Sequence, residues 1–269
     1  MHLTMIGGLS NYGKAIAHLS ASPSSGVNPE LKLAIPGNHD VSLDPKWWSD
    51  NLLEGEDDDP EESEKARELF QNSEIKWLEE GTHTFILRDG RSFTICARPS
   101  TPEFNGYAFS YGEEEDRFNI GKKAVPTEGV DLFLTHGPPK MMNTPDREGL
   151  LERYTLDQER DGKHCGCEKL WRAVERVKPL VHCFGHIHEG HGAQMVRWQE
   201  GKATVLQDVK VGNDEGARGE KRDDALLVNA AISRGHGQEG LNMAWVVELG
   251  LSENKTPERV LRVEGAGTV

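Results

Sequence analysis

The sequence predicts an α/β protein in which two β-sheets pack face to face with helices outside. Three observations carry that expectation. Short apolar runs alternate with segments of helical periodicity over the first two thirds of the chain, several of those runs end directly in Gly- or Pro-containing turns, and the last third reads as a succession of extended segments. No internal repeat is visible, and no linker separates two cores. Residues 1–269 are therefore expected to form a single domain.

In chain order, Leu9, Tyr12, Ile16 and Leu19 recur at helical spacing and predict a first helix. Residues 31–35 (LKLAI) predict a strand, and Pro45 starts a helix for which Trp47 and Trp48 form a cap. The acidic run 54–64 (EGEDDDPEESE) repels itself and is expected to be a solvated loop, as is 113–116 (EEED). Residues 130–134 (VDLFL) predict a second strand. Cys167, Leu170, Trp171, Val174 and Val177 lay one helical face on a sheet until Pro179 stops them, and 180–184 (LVHCF) is a third strand. A helix feeding a strand is a βαβ element, whose sites collect at strand carboxyl ends. Beyond it, 194–198, 203–206, 226–229, 244–249 and 260–263 look extended and suggest a second, more antiparallel sheet. The Gly-containing, mixed-charge stretch 212–224 reads as a long surface loop.

Composition narrows the function. The formal charge of −14 argues against general adhesion to nucleic-acid backbones or acidic lipid surfaces, though not against a phosphate substrate, since a bound metal can reverse the local sign. No run approaches the roughly 18 apolar residues of a membrane span. Four cysteines are too few for a disulfide scaffold, which points to a reducing, cytoplasmic setting. His164-Cys165-Gly166-Cys167 lacks the second ligand pair of a zinc site and reads as a loop into a helix. Cys183 and His182 read as sheet residues.

Chemistry collects at three strand ends. Pro36-Gly37-Asn38-His39-Asp40 follows the first strand, Thr135-His136-Gly137-Pro138-Pro139 the second, and Gly185-His186-Ile187-His188-Glu189-Gly190 the third. Neutral imidazoles and an amide oxygen are ligands for borderline cations such as Mn, Fe, Zn or Ni, and the neighbouring glycines let the backbone turn sharply. His186 and His188 would point to opposite sides of a straight strand, but in a turning loop they can address two different ions. Two metals about 3.5 to 4 Å apart are a known solution for phosphoester hydrolysis. A histidine outside the ligand set would then protonate the leaving group, and His39 fits that role. His191, Arg98 and Asn229 are further candidates to line the site, with Asp40 beside His39.

At these residues the chain resembles the calcineurin-like metallophosphoesterase superfamily, with its Gly-Asn-His-Asp/Glu, strand-end His and Gly-His-x-His motifs in order. The phrases at 135–139 and 184–190, with 98–104 between the first two motifs, are similar to the branch of small metallophosphoesterase-domain proteins. The resemblance implies a ββ sandwich flanked by helices (α-β-β-α). It implies that Asn38, His136 and His186 hold one divalent metal ion, that His188 belongs to the other, and that His39 is the general acid. It also implies a small phosphoester substrate, with cyclic nucleotides or other phosphodiesters for some branch members.

The family pattern opens with an Asp-x-His strand and a Gly-Asp turn, whereas Met1 and His2 stand where that Gly and Asp would be. The expectation is a truncated N-terminus that lacks the first core strand and its carboxylate ligands, with His2 as a weak substitute. A site of uncharged donors would then hold one cation or none firmly, because nothing offsets the metal's dehydration. Two readings follow: a metal-dependent phosphodiesterase-like hydrolase, or a catalytically impaired metal- or nucleotide-binding protein on the same scaffold.

Overall fold

The computed structural model describes residues 30–52, 59–142, 149, 153–199, 202–209, 223–235, 239–242, 245–249 and 261–265. The helix expected over residues 9–19, the candidate ligand His2, and residues 54–58 and 212–222 of the two expected loops lie outside the described residues.

Strand β1 (Lys32–Ala34) pairs in parallel with β2 (Ile75–Trp77), and the segment between them carries two helices. Helix α1 (Pro45–Asn51) begins with proline at its first position, and the Asp44 carboxylate accepts the Trp47 amide at 3.1 Å. Helix α2 (Glu62–Gln71) buries only Ser63, Ala66 and Phe70. Its first turn contains Glu62 and Glu64, so the acidic run is not solvated loop to its end. Carboxylates there meet the positive end of the helix dipole, which turns a self-repelling sequence into a helix start.

A hairpin follows, β3 (Gly81–Ile86) and β4 (Ser92–Arg98), turning at Asp89-Gly90 where Gly90 has φ 88°. Short strands β5 (Thr101–Pro102) and β6 (Ser110–Tyr111) pair in parallel. Next come β7 (Leu132–Thr135), helix α3 (Glu168–Val177) and β8 (Val181–Phe184). Cys167 caps α3, and the left-handed Lys178 ends it before Pro179. The remainder is β9 (Gly192–Gln199), β10 (Lys202–Asp208), β11 (Asp224–Asn229), β12 (Trp245–Leu249) and β13 (Leu261–Gly265).

Seven strands make one sheet in the order β10-β9-β11-β8-β7-β4-β3. Its centre, β11-β8-β7-β4, is parallel, and its margins are antiparallel. The C-terminal strands thus distribute differently from expectation. β9, β10 and β11 extend the central sheet, because β11 inserts between β9 and β8 instead of continuing a hairpin series, and β12 pairs with β13 separately.

Alternation along the strands defines the layers. Phe133, Phe184 and Leu227 face Trp171 and Val174 of α3. Leu132, Leu134, Val181 and Val228 face the other way, where Leu33 of β1, Ile35 just after it, and Trp245 and Val247 of β12 pack against them. Ala34, between Leu33 and Ile35, turns to Ala66 and Phe70 of α2. The order α3, central sheet, the β1–β2 pair, α2 is an α-β-β-α stack. Among the described residues no helix is long and apolar enough to cross a membrane, and Cys96, Cys165, Cys167 and Cys183 are all free thiols.

Candidate functional site

Because β4, β7, β8 and β11 run in parallel, their carboxyl ends share one edge of the sheet, with Arg98 opposite Thr135 and Asn229 opposite Phe184. The ladder continues past the strands: His136 N donates to Arg98 O (3.2 Å), Gly185 N to His136 O (2.9 Å), and Ala230 N to Phe184 O (2.7 Å). Backbone bonds therefore tie the turns after β7 and β8 to their neighbours before any side chain is considered.

The turn after β1 joins them. Gly37 N donates to Asp40 Oδ2 (2.6 Å) and Asp40 N to Gly37 O (3.0 Å), so the buried Asp40 carboxylate closes the turn on which Asn38 and His39 sit. Asn38 is only 4% exposed, and its Oδ1 lies 2.8 Å from His136 Nε2. An amide oxygen can only accept, so without a metal the ring proton sits on Nε2, and a cation taken up by both groups would require the Nδ1–H tautomer. The approach depends on Gly37: a Cβ there would lie 2.4 Å from His136 Cε1.

His186 is next in line, its ring centroid 4.9 Å from that of His136. It is held at φ 71°, a left-handed conformation that a non-glycine residue adopts at a cost of about 1 to 2 kcal/mol. Burial, followed by the neighbouring His186, His39 and His188, holds the His136 pKa well below the ordinary 6.5. Burial, then His188 and His39, lowers that of His186 to about 4. Both rings are neutral at physiological pH, with lone pairs available to a cation. His188 opens a short 3-10 turn (His188–Gly190).

His39 is exposed and packs against Tyr107 at a centroid distance of 4.3 Å. The Tyr107 loop is itself anchored: Trp47 Nε1 donates to Gly106 O (2.6 Å) and Phe109 N to Asp44 Oδ2 (3.0 Å). No local sequence signal links Tyr107 to His39, since only the tertiary fold brings them together.

The other candidate residues have structural partners. Asn229 is fully buried, with Nδ2 donating to Leu156 O and Ile187 O (both 2.8 Å) and Oδ1 accepting the Ala231 amide (3.0 Å), so its side chain braces the Gly-His-Ile-His loop from beneath. Arg98 is buried and donates to Ala97 O (2.9 Å) and Lys123 O (3.1 Å). His191 accepts from Trp245 Nε1 at 3.2 Å, tying β12 to the loop. His164 pairs with the buried Asp157 carboxylate at 2.6 Å, and the Cys167 sulfur caps α3 and accepts from Tyr111.

Among the described residues, no three His, Cys, Asp or Glu side chains converge at metal-ligand spacing. What does converge is one amide oxygen and two neutral imidazoles, a donor set that fits a borderline divalent cation but brings no carboxylate charge.

Comparison with known proteins adds a lineage. Residues 8–190 match the family model for calcineurin-like phosphoesterase. The chain is similar to metallophosphoesterase domain-containing protein 1 of Homo sapiens, 31% identical over 171 residues that cover 61% of this chain and 46% of that protein. A UPF0046 protein of Caenorhabditis elegans is 29% identical over 203 residues (68% of this chain, 42% of the relative). A probable rhamnogalacturonate lyase C of Emericella nidulans is 27% identical over 202 residues, 16% of its length. The chain thus spans less than half of each of these relatives.

Proposed function

Since the chain belongs to the calcineurin-like phosphoesterase family, we propose that it is a metal-dependent, phosphodiesterase-like hydrolase of a small phosphoester, with a nucleotide among the candidate substrates. The observation that carries this reading is the 2.8 Å meeting of Asn38 and His136 from turns of different strands, with the His186 ring beside them. Asn38, His136 and His186 would hold one divalent cation, and His188 would belong to a second. Mn, Fe, Zn and Ni all suit such donors. A bound metal would supply a water of lowered pKa and charge stabilisation at the phosphate oxygens. His39, exposed at the rim and oriented by Tyr107, would give its proton to the leaving oxygen. Buried Asp40 keeps that turn closed.

A second reading rests on one observation, the absence of any carboxylate from the described donor set: a protein that binds a metal or nucleotide without turnover. The test is hydrolysis of bis-p-nitrophenyl phosphate with Mn2+, comparing the wild type with His136→Ala and His39→Ala. The hydrolase reading expects His136→Ala to abolish turnover and His39→Ala to slow diesters of poor leaving groups most. Activity unaffected by His136→Ala would defeat it, and nucleotide binding by calorimetry without turnover would favour the second reading. We further read residues 1–269 as one domain acting in the cytoplasm on a dissolved substrate, supported by four unpaired thiols and the charge of −14.

A further inference from the structure

We infer that His182 is a positioning residue for the His136 turn, acting through the hydroxyl of Thr135. Only the metal readout of its test rests on the hydrolase reading. His182 is fully buried in the middle of β8, on the face that meets α3, with the rings of Phe133 and Phe184 each 4.9 Å away. Its Nε2 lies 2.9 Å from Thr135 Oγ1, and that hydroxyl donates to Gly137 O at 2.7 Å.

A threonine hydroxyl carries a single proton. With that proton directed at a carbonyl, which can only accept, Oγ1 must accept from His182, so the imidazole proton sits on Nε2. Among the described residues, the remaining nitrogen, Nδ1, has no hydrogen-bond partner. A bare lone pair there fits the aromatic surroundings, whereas an N–H would be a stranded donor. Burial lowers the His182 pKa to about 3, so the ring stays neutral and the relay keeps one direction.

The relay runs from His182 through Thr135 to the Gly137 carbonyl and fixes the backbone just after His136. Arg98 O and the Gly185 amide hold His136 itself. With the main chain pinned on both sides, the His136 side chain is delivered to Asn38. Histidines on sheet strands ordinarily contribute packing. This one sets the geometry of a residue on the adjacent strand.

The test uses the full chain and four variants. Thr135→Val removes both relay bonds and Thr135→Ser keeps them. His182→Phe keeps the aromatic stack and loses the donor, and His182→Gln presents an amide N–H in place of Nε2. Mn2+ affinity is measured by calorimetry beside metal-free thermal unfolding, with Cys183→Ala, on the opposite face of β8, as a control for lost stability. Thr135→Val and His182→Phe should bind Mn2+ at least roughly tenfold more weakly, while Thr135→Ser and His182→Gln stay near wild type. Folded Thr135→Val and His182→Phe proteins with wild-type affinity would overturn the inference. So would an equal affinity loss in Cys183→Ala at matched stability. If the wild type takes up no Mn2+, the metal reading fails on its own, and 15N imidazole NMR decides the relay. An Nε2–H tautomer that is lost in Thr135→Val supports it, and an Nδ1–H tautomer overturns it.

Discussion

Replacing Gly37 with alanine is a one-carbon perturbation aimed at the contact between Asn38 and His136. Gly37 is not among the residues with positive φ, so alanine can adopt its backbone and the effect must come from the added methyl group. That methyl would sit 2.4 Å from His136 Cε1, 2.7 Å from Nδ1 and 2.9 Å from Nε2. Non-bonded carbons rest at roughly 3.5 to 4.0 Å, so the ring must retreat by about 1 Å, and the His186 ring nearby limits where it can go. A shift of that size breaks the 2.8 Å contact with Asn38. Overpacking of this kind costs about 1 to 3 kcal/mol of stability, and a misplacement of about 1 Å can lower turnover roughly 100-fold. Gly37→Ala should therefore fold, unfold earlier in urea without metal, and lose Mn2+ affinity and diester hydrolysis together. A variant that matches wild type in both urea midpoint and Mn2+ affinity would refute the reasoning.

Four further outcomes can be checked. Asn229→Ala strips partners from Leu156 O, Ile187 O and Ala231 N and should destabilise the chain by about 3 kcal/mol in urea unfolding. Gly190→Ala drives a Cβ to 2.4 Å from Leu156 O and 3.0 Å from Asn229 Nδ2, for an expected loss of about 1 to 3 kcal/mol. Because the two sites share partners, the double variant should lose less than the sum of the singles, and additive losses would show that they do not communicate. The folded chain resists protonation of His182, whose pKa is about 3, whereas the unfolded chain accepts it near 6.5. His182 thus stabilises fully above about pH 6.5, and this contribution falls by up to about 1.4 kcal/mol per pH unit as pH drops through that window towards 3. His182→Phe should show a flatter stability profile between pH 6 and 4, measured by urea midpoints; an unchanged slope would count against a neutral buried imidazole.

The strands that end in Asn38, His136 and His186 were legible because each is a short apolar run closed by a glycine-bearing turn, and α3 because Leu170, Trp171 and Val174 repeat at helical spacing. Helix α2 was hidden: it buries only Ser63, Ala66 and Phe70, and its acidic start imitates a solvated loop. The β3–β4 hairpin was equally quiet, since β3 is an edge strand whose Thr82, Thr84 and Ile86 are exposed, although Asp89-Gly90 was a usable turn signal. The insertion of β11 between β9 and β8 left no local trace, because strand order depends on long-range pairing. In the site, residue types announced the imidazole cluster. The parts played by Thr135, His182 and Tyr107 arise only from contacts across strands and loops.

The backbone bonds that run on beyond the strand ends have a practical corollary. Arg98 O, His136 O and Phe184 O are engaged by amides, so the frame under the histidines owes little to their imidazoles. Chemistry and architecture are separable here. An engineer could exchange His136 or His186 for an acidic side chain, retuning the preferred ion from softer towards harder cations, while the underlying mesh of amides stays in place like a socket awaiting a different plug.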